Sequence, residues 1–276
     1  MSRSLRASAV KLVMATAVVV LGISGTVASI AAASPGRAAS PQAAGPPPVD
    51  HQLCYGVSAT GSKIPSGIVL KNQFSPNGFK PKITKAVAHC NPVAKQVPSG
   101  KIFKITNPNA HLLCYQLTAA TQPTPTVVVT NQFGSAKLTT GQPNLLCLPS
   151  WKSLTGPPHH KVPQPPRLNH FTCYPVKVAS GAYHPPAVML KDEFASKPVS
   201  ATVNPVPVEL CLPTEKIVGR HDFKIINAAA HLLCYPVTPT PIKPTVWDQN
   251  QFGNETVKII RTTTLCLPSA KQVVKR

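Results

Sequence analysis

The residues predict an all-β protein assembled from small, disulfide-closed units. Three observations carry that prediction. Apolar residues alternate with period two, as in His111-Leu-Leu-Cys114-Tyr115-Gln-Leu117. β-Branched clusters such as Val127-Val-Val129 are followed at short intervals by Gly, Pro and Asn turn signals. All 8 cysteines recur in pairs along the chain. No twelve-residue stretch has a clean helical period free of proline. Several short strands with regular turns indicate a sandwich or barrel.

The paired cysteines belong to a repeat. Four segments open alike, with His51, His111, His170 and His231 each three residues before Cys54, Cys114, Cys173 and Cys234, and Tyr55, Tyr115, Tyr174 and Tyr235 just after. Each unit has a central phenylalanine behind two amide or acidic residues: Asn72-Gln73-Phe74, Asn131-Gln132-Phe133, Asp192-Glu193-Phe194 and Asn250-Gln251-Phe252. Each closes on C-x-P-x-x-K, from Cys90 to Lys95, Cys147 to Lys152, Cys211 to Lys216 and Cys266 to Lys271. A longer period overlies this one. Phe103-Lys104-Ile105 precedes unit two and Phe223-Lys224-Ile225 precedes unit four, whereas a Pro-rich stretch, Ser153 to Asn169, precedes unit three. Such a stretch reads as a semi-rigid spacer. The expectation is two tandem β domains of two units each, 50–152 and 170–272, joined by the linker 153–169.

Within a unit, the opening segment alternates as a strand. Pro175 and Pro236 cannot donate to a ladder, so these strands are expected to lie at a sheet edge or to end there. A second strand leads to the phenylalanine, through Ile68-Val-Leu70 or Val188-Met-Leu190. A third follows the turn, as at Lys137-Leu138-Thr139 or Val257 to Ile260. The residues before the closing cysteine make a candidate fourth.

The N-terminal region reads differently. Arg3, Arg6 and Lys11 flank an apolar run from Leu12 to Ile23, and small residues up to Ala33 follow. Charged, apolar and A-x-A segments in that order are a secretory signal, assigned to residues 1–33. The run is short for a bilayer span, and the remainder has no apolar stretch that could be one. Residues 34–49, rich in Pro and Ala, read as a disordered tether.

Export makes disulfides the expected state of Cys54, Cys90, Cys114, Cys147, Cys173, Cys211, Cys234 and Cys266. Pairing within each unit is favoured over crossed pairing because every unit keeps both cysteines. Each bridge closes a loop of about 35 residues, which the chain-entropy model values at about 4 kcal/mol. Aromatic residues are only 5% of the chain, so cores this small need such staples.

The full pattern resembles an uncharacterised repeat domain of secreted bacterial proteins, whose copies carry a similar H-x-x-C-Y, a D/N-Q-F centre and an L-C-x-P-x-K close. Unit one departs from it, with Ala88-His89-Cys90 where the others have Leu before cysteine. The resemblance implies compartment and domain boundaries, and no activity.

The functional readings follow from what recurs. With 28 basic and 8 acidic residues, a formal charge of +20 favours polyanions such as wall polymers, acidic polysaccharide, anionic lipid or nucleic acid; a solubilising role is the plainer alternative. H-x-x-C supplies two zinc-ligand types, but residues three apart on a strand face opposite ways. No metal or cofactor site is therefore assigned. The recurring histidines are expected to start strands and hydrogen-bond locally, and the tyrosines to fill core. Surface function is looked for instead among residues that differ between copies, such as Trp151, Trp247 and Tyr183. Units one and two hold no carboxylate between His51 and Lys152, and no hydrolase or phosphate-binding motif occurs. Leu212-Pro213-Thr214-Glu215 has the letters of a sortase signal but lies mid-chain. The expectation is a non-catalytic extracellular binding or structural module, with an unrecognised secreted enzyme or a metal-binding protein as the competing readings.

Overall fold

The computed structural model describes residues 49–274 apart from Pro163 and Pro166; the signal and all but the last residue of the tether lie outside these. Unit one contributes β1 (Gln52–Thr60), β2 (Val69–Asn72), β3 (Ser75–Phe79) and β4 (Lys82–Pro92), followed by β5 (Ala94–Gln96) and β6 (Ile102–Phe103). Unit two supplies β7 (His111–Thr118), β8 (Thr126–Asn131), β9 (Gly134–Thr140) and β10 (Leu145–Ser153). Unit three supplies β11 (His170–Tyr183), β12 (Val188–Lys191), β13 (Val199–Ala201), β14 (Glu209–Val218) and β15 (His221–Phe223). Unit four supplies β16 (His231–Pro236), β17 (Thr245–Asn250) and β18 (Gly253–Val273). There is no helix among the described residues, so none is long and apolar enough to cross a membrane.

The opening and closing strands of the four units pair antiparallel around a ring. The order is β1-β4-β7-β10-β11-β14-β16-β18, and β18 returns to β1. An eight-stranded closed sheet leaves no stave with a free edge. Alternation then explains the motif. Tyr55, Leu113, Tyr115, Tyr174 and Tyr235 face outward into one large apolar cluster beneath the hairpins. The eight cysteines, with Leu112, Phe171 and Leu232, form a second cluster inside the ring.

Each unit also throws out a hairpin around its central phenylalanine, and that hairpin does not stay on its own unit. β2 pairs with β14, β8 with the end of β18, β12 with β5, and β17 with β10. Every hairpin therefore adds to the unit two places away around the ring.

This pairing corrects the tandem-domain expectation. The all-β, disulfide-rich class holds, but the described residues form one compact unit with no division at 152/170. The physical reason is that outer and inner strand faces are both apolar, and only exchange between units covers both. The Pro-rich stretch is correspondingly docked. Trp151 Nε1 donates to the Val162 carbonyl at 2.8 Å, and His160 N donates to Gln249 Oε1 at 2.9 Å. Proline marks strand limits in two ways. β16 ends at Pro236, while β11 continues through Pro175 and changes partner there from β14 to β9.

Candidate functional site

Four disulfides join Cys54–Cys90, Cys114–Cys147, Cys173–Cys211 and Cys234–Cys266. In each, the two cysteines are directly opposite in neighbouring antiparallel staves. All eight side chains point into the ring and meet there. Cys54 Sγ is 3.8 Å from Cys266 Sγ, and Cys147 Sγ is 3.9 Å from Cys173 Sγ, each from a different bridge. Beside this sulfur layer lies a cavity of about 310 Å³. Its wall is mostly apolar, and its polar side chains include Gln52, Asn144 and Glu209.

Outside the ring the remaining motif residues assemble into four nodes. The Asx side chain of each hairpin accepts from the phenylalanine N–H two residues on, at 2.9, 2.8, 3.0 and 2.7 Å for Asn72, Asn131, Asp192 and Asn250. This local bond fixes the turn. The phenylalanine then meets the tyrosine of the unit two places away, edge to face. Ring centroids are 5.0 Å apart for Phe74 and Tyr174, 5.3 Å for Phe133 and Tyr235, 5.2 Å for Phe194 and Tyr55, and 4.9 Å for Phe252 and Tyr115. The Asx side chain bonds the same tyrosine. Asn72, Asn131 and Asn250 Nδ2 donate to the hydroxyls of Tyr174, Tyr235 and Tyr115, and Tyr55 donates to Asp192 at 2.6 Å.

The closing lysine of the preceding unit completes each node. Lys95, Lys152, Lys216 and Lys271 lie 4.7, 4.5, 5.2 and 5.0 Å from the centroids of Phe133, Phe194, Phe252 and Phe74. Lys95 and Lys216 also face Phe103 and Phe223, which explains the longer sequence period. Burial pushes Lys95 and Lys216 down to about 7 and Lys271 to about 8. The ring faces act the other way, because an aromatic quadrupole attracts the ammonium. The recurring histidines join this set rather than bonding only locally. His51 reaches Gln132 Oε1 at 3.4 Å and His170 reaches Gln251 Oε1 at 3.2 Å; His231 alone of these bonds nearby, to the Ala229 carbonyl. Desolvation, with the neighbouring lysine charges acting in the same direction, lowers His51 and His170 to about 3 and His231 to about 4.

The departure of unit one from the repeat has a structural partner. His89 and Asn91 occupy positions held by Leu in the other closing strands, and Asp248 one held by Leu70, Val129 and Leu190. His89 Nδ1 lies 2.9 Å from Asp248 Oδ2 and Nε2 lies 2.8 Å from Asn91 Oδ1, with both His89 and Asp248 fully buried. Asn91 Nδ2 donates to Asp192 Oδ2 at 2.8 Å, and Lys152 Nζ bridges Asn91 Oδ1 and Glu193 at 2.8 Å each. The acidic hairpin of unit three and the polar strand of unit one thus satisfy one another.

Of the residues sought for surface function, Tyr183 proves to be core. Its hydroxyl donates to the Val129 carbonyl at 2.9 Å and its ring packs on Tyr235. Trp151 is half-buried and stacks on His160 with centroids 4.0 Å apart; Trp247 is half-buried in β17. The described residues give one cluster with metal-ligand atom types, Cys173, Glu209 and Cys211. Its two sulfurs are bonded to each other, so neither is a thiolate, the form that ligates metal.

Gln52, Asn144 and Glu209 belong to none of the residues that recur in the repeat. Two of them were visible as departures from the repeat. Gln52 stands where the other units have Leu112, Phe171 and Leu232, and Glu209 where they have Ala88, Leu145 and Thr264. Knowing that both positions face the lumen needed the closed ring.

No curated protein and no solved structure matches the chain. Residues 117–268, more than half of the sequence, match the repeat of unknown function DUF7450. That span runs from the opening strand of unit two to the closing motif of unit four, and takes in the Cys173–Cys211 and Cys234–Cys266 bridges and the hairpins of units two, three and four. The chain belongs to this family, the repeats of unknown function DUF7450.

Proposed function

We propose that this chain is a secreted, non-catalytic binding module of the bacterial cell exterior, held to anionic polymers by its positive charge. One observation carries the reading. The recurring tyrosines, Asx residues and lysines are engaged with one another in the nodes, and among the described residues Glu209 is the sole carboxylate on the lumen wall. A lone carboxylate provides no acid–base pair of the kind hydrolysis uses. Four disulfides suit an oxidising compartment. The signal-like N-terminus agrees with that compartment. Of 28 basic residues, Arg3, Arg6, Lys11 and Arg37 precede the disulfide-braced frame, which keeps 24 against 8 acidic residues, or +16, and this supplies long-range attraction to wall polymer or acidic glycan.

The test is a pull-down of the oxidised protein on purified wall polymer, acidic polysaccharide and nucleic acid across a salt series. Retention at low ionic strength that falls steeply by about 0.5 M salt supports the reading, since screening shortens the reach of exposed charge. Retention on none of the three overturns it.

A further inference from the structure

Among the described residues, four buried side-chain polar atoms have no hydrogen-bond partner. Three of them, Gln52 Oε1, Gln52 Nε2 and Asn144 Oδ1, belong to residues that line the disulfide-walled lumen. Buried polar groups are nearly always paired, so their gathering at one cavity calls for an account. Gln52 is 1% exposed and breaks an otherwise apolar layer of Leu112, Phe171 and Leu232. At the half-buried mouth, Asn144 Nδ2 donates to Glu209 Oε1 at 2.9 Å, which turns the amide so that its oxygen is left over. The mouth therefore carries a carboxylate, with the unpartnered Asn144 amide oxygen buried just behind it, both acceptors. The Gln52 amide offers one donor and one acceptor. Between them lies a wall of cystine sulfur and aliphatic carbon.

We infer that the barrel lumen is a binding site for a small molecule with an apolar body and a primary ammonium group, the ammonium seated between Glu209 and Asn144 Oδ1 at the mouth. A mouth of acceptors needs a donor with several N–H bonds, and an ammonium has three and no lone pair. A carboxylate ligand would meet Glu209 with like charge. The cavity of about 310 Å³ is at the small end of ligand sites and fits a body of a few carbons or one ring. Desolvation raises the Glu209 carboxyl, and an ammonium beside it would bring it back down. Binding of the amine should thus weaken as pH falls and Glu209 takes up its proton. The inference rests on the reading of the chain as a binding module and adds a ligand class to it.

Three probes that share one skeleton test it: 4-phenylbutylamine, 4-phenylbutanol and 4-phenylbutyrate, each titrated into the oxidised protein and followed by backbone amide NMR shifts. The expected result is saturable movement of lumen residues, with the amine binding at least about tenfold more tightly than the alcohol and the acid more weakly still. Glu209→Gln should erase the difference between amine and alcohol. Thr264→Arg, which sets a cation at the same half-buried mouth, should weaken the amine about tenfold without relying on the first variant to fold. Equal affinity for amine and alcohol, an unaltered preference in Glu209→Gln or in Thr264→Arg, or no lumen shifts with any probe would overturn the inference and leave the polar atoms to water. The polymer pull-down reports on surface charge. Polymer binding without amine binding therefore defeats this inference alone, and loss of both defeats the wider reading.

Discussion

At the scale of single residues, the repeat is most informative where it is broken. His89 and Asp248 form a buried polar pair at positions that hold leucine or valine in the other units, and Asp248 Oδ1 has no partner at all. Restoring the repeat with His89→Leu alone is predicted to cost about 3–5 kcal/mol, because it strands a buried carboxylate. The double change His89→Leu with Asp248→Leu should regain most of that loss, and a double-mutant cycle from chemical denaturation measures the coupling. Gln52 has the opposite sign. Gln52→Leu removes two buried unpaired atoms and should raise stability by about 1–3 kcal/mol, read as a higher melting temperature. Protonation acts through the node histidines. His51 and His170 sit at about 3 and His231 at about 4, against 6.5 unfolded, so the unfolded chain binds more protons between those limits. Stability should therefore fall as pH drops below 6.5 and keep falling towards 3, by up to about 1.4 kcal/mol per unit for each histidine. A stability profile flat from pH 7 to 4 would contradict these burials.

At the scale of elements, the hairpins settle how the units relate. β2 completes β14 and β12 completes β5, so units one and three cover each other, as units two and four do through β8 and β17. Cutting the Pro-rich stretch is predicted to leave the halves associated on size-exclusion chromatography. Either half alone at low concentration should lack a cooperative melt, since its staves and hairpins lose their partners. Much of this architecture was legible beforehand. The β class followed from the alternation in His111–Leu117, and the unit boundaries from the spacing of H-x-x-C-Y and C-x-P-x-x-K. The ring closure of β1 on β18 was not, because strand period gives a residue its face and says nothing about which distant strand lies beside it. The lysine of C-x-P-x-x-K showed the same limit. Its recurrence was plain, yet its aromatic partner lies in the next unit around the ring. The lumen residues stayed hidden for a related reason: Gln52 reads as an ordinary surface amide until the first strand is known to have neighbours on both sides.

At the scale of the whole molecule, the disulfides and the nodes occupy opposite faces of the same staves. The cystines tie each opening strand to its own closing strand, and each node joins side chains from three units, so that together they tie every unit to the other three. Reduction should therefore loosen the inside of the ring first. Melting in reductant is predicted to shift down strongly, with each bridge worth about 2–4 kcal/mol. The exchange of hairpins has a consequence for any chain built from fewer such units. Each unit finds its partners by rotation about one axis, so nothing in the contacts demands that the units share a polypeptide. A chain bearing two of them would be obliged to dimerise head to tail, and one bearing a single copy to form a cyclic tetramer. Stoichiometry in such proteins should count to four copies per particle, however the genes divide them.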